Sequence, residues 1–457
     1  VARPASRPNS RPAVSAAAAP VPVRPSNVRP SNVRHALVAG SVGNFVEWYE
    51  FGVYGSFATV IASRFFTPEG GDGGQALIAA YAAFAIAFFF RPLGALLFGR
   101  LADRAGRRPA LVLAVSLMTG ATTLIGVLPA YSAIGVLAPW SLTLLRCLQG
   151  LSAGGEFGGA VSLLTETAPP GRRGRHGAWQ SFTVALGLLT GAGLAAGLAT
   201  LLPESALYAW GWRVPFLLAL PLGAVALWLR LRLPETAPPS LPPPPPPPTE
   251  RSTRVEGPAP KGMPGAVLLG IGRIMGWSAA GYTFLVVLPS YLQATLGTSF
   301  RQALAAGFVA NLGFAATILP AGALSDRVGR RAVMLTGSLL VVLTALPLLH
   351  LLRDPGTPVA AKALLLAAAG AMIGLLAGPG PALLAEMFPT RVRSTGLGLA
   401  YALSNAVFAG CAGLIVTALV RHTGNPDVPA LYAAGACALA VPALLTLRPD
   451  DHLRPLR

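Results

Sequence analysis

Twelve times between Val38 and Leu447 the chain runs through about 18 to 26 mostly apolar residues before polar residues, glycine or proline interrupt it. A helix rises about 1.5 Å per residue, and about 20 residues cross the hydrocarbon core of a bilayer, so each stretch predicts one membrane-spanning helix. Six stretches precede and six follow a long polar interruption containing the run LPPPPPPPT, which favours an extended polyproline helix and cannot itself span. The predicted fold class is therefore an all-α membrane protein with twelve transmembrane helices in two six-helix pseudo-repeat bundles. The organisation that follows is a disordered tail over 1–35, an N-terminal bundle over 36–232, a Pro-rich linker over 233–264, a C-terminal bundle over 265–447 and a short tail over 448–457.

Composition agrees with this pattern. Of 457 residues, 53% are hydrophobic and 11% are charged, whereas a soluble domain carries charge at roughly a quarter of its positions. The five histidines lie in tails or near predicted helix ends, and the three cysteines lie inside apolar stretches, so neither a metal cluster nor a catalytic triad nor a disulfide framework is indicated. No enzyme activity is expected, and no cofactor beyond a proton as coupling ion.

A formal net charge of +18 would suggest nucleic acid in a soluble protein, but its placement says otherwise. Counted in alternate connections with the N-terminus inside, 26 of the 35 Lys and Arg fall on one side, six on the other and three within spans. Basic residues accumulate in cytoplasmic loops, so both termini are expected in the cytoplasm of a cell (inner) membrane protein. The expected partners are the lipid bilayer and a small organic anion, without nucleic acid, the chain working as a monomer.

The string GRLADRAGRR at 99–108 reappears as GALSDRVGRR at 322–331, 223 residues later, and an E-x-x-P at Glu166 reappears at Glu386 after 220. Two motifs repeated at nearly one offset indicate duplicated halves, as in transporters that rock two bundles about a central site. Through these residues the chain resembles the major facilitator superfamily. The strings GNFVEWYEFGVYG, FRPLGALLFGRLADRAGRR, RCLQGLSAGGEFGG and WGWRVPF are similar to those of its metabolite:proton symporter family over about residues 36–447. EMFPTRVRSTGLGLAYALSNAVFAG looks most like alpha-ketoglutarate and related dicarboxylate permeases. In this family the first-span string usually ends E-W-Y-D-F; Glu50 stands here where that Asp is usual, a carboxylate on a longer arm.

Six ionisable residues fall within predicted spans: Glu47, Glu50, Glu156, Arg91, Arg146 and Arg273. Each costs upwards of about 2.5 kcal/mol at the bilayer centre, so each is a functional candidate, and their charges sum to zero. Glu47, Glu50 and Tyr54 share one helical face with Asn44 a turn below. The resemblance implies proton coupling through Glu50 and Arg146, since related sugar-proton symporters place an acid in span one near an arginine in span four; Glu47 joins this set. Arg91 and Arg273 are carboxylate-binding candidates because guanidinium matches carboxylate bidentately, with Tyr54, Tyr282 and Asn405 as further substrate contacts. The resemblance also implies a cytoplasmic gate built from Asp103, Arg104, Arg107, Arg108, Asp326, Arg327, Arg330 and Arg331, with Glu166 and Glu386 as partners of those arginines and Glu156 as a gating pair. Each of these has a plainer reading as a fixed structural pair, a packing arginine or a topology signal. Gly378-Pro379-Gly380-Pro381 predicts a broken tenth span.

The expected function is import of a small organic acid with protons. The alternatives are a proton-coupled importer of a zwitterionic osmolyte such as proline or betaine, and a sensor that moves nothing. The short chain end after the last span disfavours the osmolyte reading, because osmosensing relatives carry a long C-terminal coiled coil.

Overall fold

The computed structural model describes residues 30–68, 71–154, 156–232, 262–390, 392–448, 453 and 456, except the side chains of 30–37, 39, 102, 103, 107 and 156. The expectations for most of the N-terminal tail and the linker, and for the side chains of Asp103, Arg107 and Glu156, lie outside the described residues.

Twelve helical rods stand where twelve apolar stretches were read. They are α1 (Pro30–Ser56), α2 (Gly73–Ala105), α3 (Arg107–Val127), α4 (Leu137–Ser152, resuming as Glu156–Glu166), α5 (Arg173–Leu201) and α6 (Arg213–Leu231). The second six are α7 (Met263–Ala294), α8 (Phe300–Val328), α9 (Arg330–Arg353), α10 (Val359–Met387), α11 (Arg393–Thr423) and α12 (Val428–Leu445). Ten are long and apolar enough throughout to cross a membrane. The other two are α1, which carries both first-span carboxylates, and α4, which is interrupted within AGGEFGG. Several rods outrun the hydrophobic stretches by a turn or more, since helix continues into polar ends until a glycine stops it. Gly106 at φ 96° and Gly329 at φ 92° turn the chain between α2 and α3 and between α8 and α9, a conformation that an L side chain resists.

The halves repeat in packing as well as in motif. Extensive contacts join α1 to α5, α2 to α4 and α3 to α6, and the corresponding contacts join α7 to α11, α8 to α10 and α9 to α12. Glycines set the closest of these approaches. A Cβ on Gly150 would lie 2.0 Å from the Ala87 carbonyl oxygen, and one on Gly370 would lie 1.8 Å from that of Ala310. Small residues at such crossings let backbones approach where lipid supplies no hydrophobic drive. The predicted break in α10 is present at Gly378–Pro379. Between the halves, α5 packs on α8 and α10, and α2 and the second part of α4 pack on α11.

Valine at Gly150 or Gly370 should force these crossings apart and lower stability by about 1–3 kcal/mol, as overpacking does. A thermal-unfolding scan in detergent is expected to show several degrees lost for each. Gly120→Ala and Gly197→Ala, whose added methyls meet nothing within 4 Å, should leave the midpoint in place.

Candidate functional site

Midway along the rods, a cavity of about 30 Å³ lies between the halves, lined by Trp48 and Ser181 from the first and by Trp277, Tyr282, Tyr401 and Asn405 from the second. That volume holds about two waters, too little for a metabolite, and no charged side chain lines it. Two of its walls rest on wide, π-type helical turns, Thr283–Val287 directly after Tyr282 and Asn405–Gly410 beginning at Asn405. The Tyr282 hydroxyl has no hydrogen-bond partner among the described residues, whereas the Asn405 amide donates to the Tyr401 carbonyl at 3.0 Å.

Behind Trp48 and Tyr282 sit the buried charges of the first half. Arg91 places its guanidinium carbon 4.5 Å from the ring centre of Phe88, 4.9 Å from Phe51 and 5.5 Å from Trp48, with Nη2 2.9 Å from Glu47 Oε1. Arg146 lies over Tyr54 at 4.2 Å and over Phe51 and Phe84 at 4.9 Å each. Such rings supply a negative π face to a cation that would otherwise be stranded in low dielectric.

The two acids therefore take different partners. Glu47 pairs with Arg91, so a residue expected at the proton site and one expected at the substrate are joined as an ion pair one layer behind the cavity. Glu50, 1% exposed, meets Arg146 through a relay. Arg146 Nη1 donates to Gln149 Oε1 at 2.6 Å, Gln149 Nε2 donates to Thr122 Oγ1 at 2.5 Å, and the Thr122 hydroxyl donates to Glu50 Oε2. Neither Gln149 nor Thr122 was singled out from the sequence. Gln149 sits one helical turn after Arg146 and was findable by that spacing; Thr122 lies on a span with no charge, and nothing local marks it.

Other candidates are placed elsewhere. Tyr54 spends its hydroxyl on the Ala80 carbonyl at 2.8 Å and serves as a floor for Arg146. The structure does not bring Arg273 to the cavity. Its guanidinium donates to the Ala443 carbonyl at 3.3 Å and to Thr446 Oγ1 at 2.8 Å, holding the last turn of α12, because α7 packs on α12 at that depth.

At the face bearing the repeated motifs, the halves are clasped. Asp326 at the end of α8 accepts from the backbone N–H of Gly174 at 2.7 Å and of Arg175 at 2.9 Å, the first turn of α5, where orphan amides and the helix dipole favour an anion. Arg330 bridges Asp326 at 2.7 Å and Glu386 at 3.0 Å, and Arg173 approaches Glu386 at 3.8 Å. The partner of Glu166 corrects the expectation of a motif arginine: it is Arg393, 1% exposed, across the halves at 2.5 Å. Arg393 also donates to the carbonyls of Ala385 and Phe388, so the chain turn before α11 holds it in place. Arg108 and Arg331, equivalent in the repeat, donate to the carbonyls of Leu231 and Leu447, so each motif's last arginine holds the end of its own bundle. Arg104 and Arg327 are exposed.

The opposite face is also shut. Asp72 pairs with Arg421 across the halves, Thr59 donates to Gln293 at 2.8 Å, and Tyr81 and Ser290 share a hydrogen bond of 2.6 Å. The Arg421 hydrogen bond holds the Asp72 carboxyl below its ordinary range.

Two bundles that repeat each other, enclosing a buried cavity clasped at both ends, are the architecture of an alternating-access transporter. Residues 36–238 match the model of the sugar (and other) transporter family, and residues 266–457 match that of the major facilitator superfamily. The glycine betaine/proline/ectoine/pipecolic acid transporter OusA of Dickeya dadantii is 35% identical over 90% of this chain and 82% of its own. The alpha-ketoglutarate permease of Escherichia coli is 36% identical over 84% and 87%, and the citrate-proton symporter of Klebsiella pneumoniae 31% over 96% and 98%. A crystal structure of a D-xylose-proton symporter superposes with a TM-score of 0.69 at 19% identity, over 90% of this chain and 97% of that one, and shows the shared fold. The chain belongs to the major facilitator superfamily, among its metabolite:proton symporters, and is a proton-coupled membrane transporter rather than an enzyme.

Arg393→Ala should loosen the motif-bearing face. A cysteine placed at Ser278, which also lines the cavity, is then expected to react severalfold faster with an impermeant maleimide offered from that face, measured against the native cysteines alone. Because the Asp72 carboxyl sits below its usual range, its pair with Arg421 persists above that range and is lost only as pH falls through the lowered value. Across about pH 5 to 8 the pair stays charged, so Asp72→Asn should leave the shape of the transport pH profile unaltered.

Proposed function

We propose that this transporter imports a small organic acid together with protons, with alpha-ketoglutarate or a related carboxylate as substrate, Glu50 as the proton carrier and Arg91 as the group that meets the carboxylate. The observation that carries the reading is the buried charge cluster: Glu50 has one carboxylate oxygen, Oε1, without a hydrogen-bond partner, and Arg91 stands directly behind the cavity wall. A dianion entering a negative interior meets about 2.3 kcal/mol per charge per 100 mV, and cotransported protons remove that cost. Substrate arrival would open the Arg91–Glu47 pair, so that carboxylate replaces carboxylate on the same guanidinium. The clasp at the motif-bearing face is read as the cytoplasmic gate, with both termini on that side.

A second reading has its own observation. The cavity is ringed by Trp48, Trp277, Tyr282 and Tyr401 and lined by no charge, and aromatic faces are how proteins bind quaternary ammonium. A zwitterion such as betaine or proline would set its cationic end among these rings and its carboxylate toward Arg91.

Uptake of labelled alpha-ketoglutarate and of labelled betaine into proteoliposomes under an inward proton gradient separates the two readings. Accumulation of the dicarboxylate that a protonophore abolishes supports the first; accumulation of betaine alone replaces it with the second. In Glu50→Gln, gradient-driven accumulation of the working substrate should vanish while substrate exchange at equal concentrations persists.

A further inference from the structure

Thr122 is 0% exposed and stands on α3 between two acceptors. Its hydroxyl lies within hydrogen-bond reach of Glu50 Oε2 and of the Met118 carbonyl at 3.0 Å, while it accepts from Gln149 Nε2 at 2.5 Å. A hydroxyl has one proton to donate and two lone pairs, so it serves one of these acceptors at a time. This gives two complete arrangements of the same atoms. With Glu50 ionised, Thr122 donates to Oε2 and continues the line of donors that begins at Arg146. With Glu50 protonated on Oε2, the acid donates to Thr122 Oγ1, whose own hydrogen turns to the Met118 carbonyl. Gln149 keeps its bond in both.

We propose that Thr122 is the positioning residue that matches Glu50 to both of its protonation states, a hydroxyl switch between the coupling acid and the α3 backbone. The inference rests on Glu50 being the proton carrier. No proton passes through Thr122; its hydroxyl rotates, and the proton gained or lost is the one on the carboxyl group. The ionised arrangement depends on it more, because a hydrogen bond to a charged acceptor is stronger than one between neutral groups.

The groups that face Glu50 are Glu47 and Tyr49 on α1, Arg146 on α4, and Arg91 on α2 held by Glu47. The Tyr49 hydroxyl is engaged by the Pro215 carbonyl at 2.7 Å. Residues 109–127 of α3 and 177–201 of α5 carry no ionisable side chain other than hydroxyls, and α6 has Arg213 and Arg230 near its ends only. From α7, Tyr282 packs on Trp48 at 6.1 Å between ring centres. Two uncharged donors reach the carboxylate itself, Thr122 closely and the Gln149 amide at 3.5 Å from the same Oε2, and of these Thr122 is the one whose hydrogen can turn to another acceptor.

The test is the pH profile of proton-driven uptake in proteoliposomes, with whichever substrate the wild type accumulates, for Thr122→Val, Thr122→Ser and Thr122→Ala. Valine keeps the shape and removes the hydroxyl, so the profile should move to higher pH by about one unit, roughly tenfold in proton affinity. Serine should restore the wild-type midpoint. Equilibrium exchange, which needs no net proton movement, reports that each variant is folded; if valine fails it, alanine carries the comparison. Profiles of the hydroxyl-free variant and the wild type that superimpose overturn the switch. If Glu50→Gln still accumulates substrate on a gradient, the carrier assignment falls first, whereas loss in Glu50→Gln with an unmoved hydroxyl-free profile overturns the role of Thr122 alone.

Discussion

A charge in a low-dielectric interior must be answered nearby, and the N-terminal bundle is organised around that requirement. Glu47, Glu50, Arg91 and Arg146 come from three helices and sum to zero. Neutrality alone would be met by two direct pairs. Instead one pair is direct, Glu47 with Arg91, and the other is relayed through two neutral side chains, with aromatic rings over both guanidinium groups. A direct pair is hard to open without an incoming anion, since removing one partner of a buried pair strands the other. A relayed carboxylate with an unpartnered oxygen is open to a proton. The two acids one turn apart on α1 are thereby made chemically different by what faces them.

The C-terminal bundle contributes another kind of part. Tyr282 and Asn405 close the cavity from helices whose regular winding is interrupted at those residues, and α10 breaks at Gly378–Pro379. Interrupted helices bend at less cost than continuous ones. Around the cavity the first half thus supplies the charges behind the wall and the second half the irregular walls, although both halves descend from one repeated plan. Their clasp at the motif-bearing face runs in both directions: Asp326 from the second half caps α5 of the first, Arg393 of the second reaches Glu166 of the first, and Arg173 of the first approaches Glu386 of the second.

The number of helices, the repeat and the break in α10 at Gly378–Pro379 were legible from residues alone, because hydrophobic length and backbone sterics are local properties. Glu50 and Arg146 were legible as a pair through the resemblance, and Glu47 and Arg91 as ionisable residues in apolar surroundings. Their pairing was not. Glu47 and Arg91 lie 44 positions apart, and only the packing of α2 on α1 decides that this arginine, rather than Arg146 or Arg273, answers that acid. Arg273 shows the converse: the same residue type in an equally apolar span serves to hold the end of α12.

By itself the sequence determined that this chain lives in a membrane, crosses it twelve times in two related halves and carries ionisable groups it can keep only if they answer one another. Those conclusions follow from counts and spacings along one dimension. Which acid meets which arginine, that Thr122 and Gln149 stand between Glu50 and Arg146, and that Trp48, Trp277, Tyr282 and Tyr401 ring a single cavity were decided by tertiary structure. Helix rotation and crossing place residues tens of positions apart within hydrogen-bonding distance, and no local pattern in the chain encodes that distance.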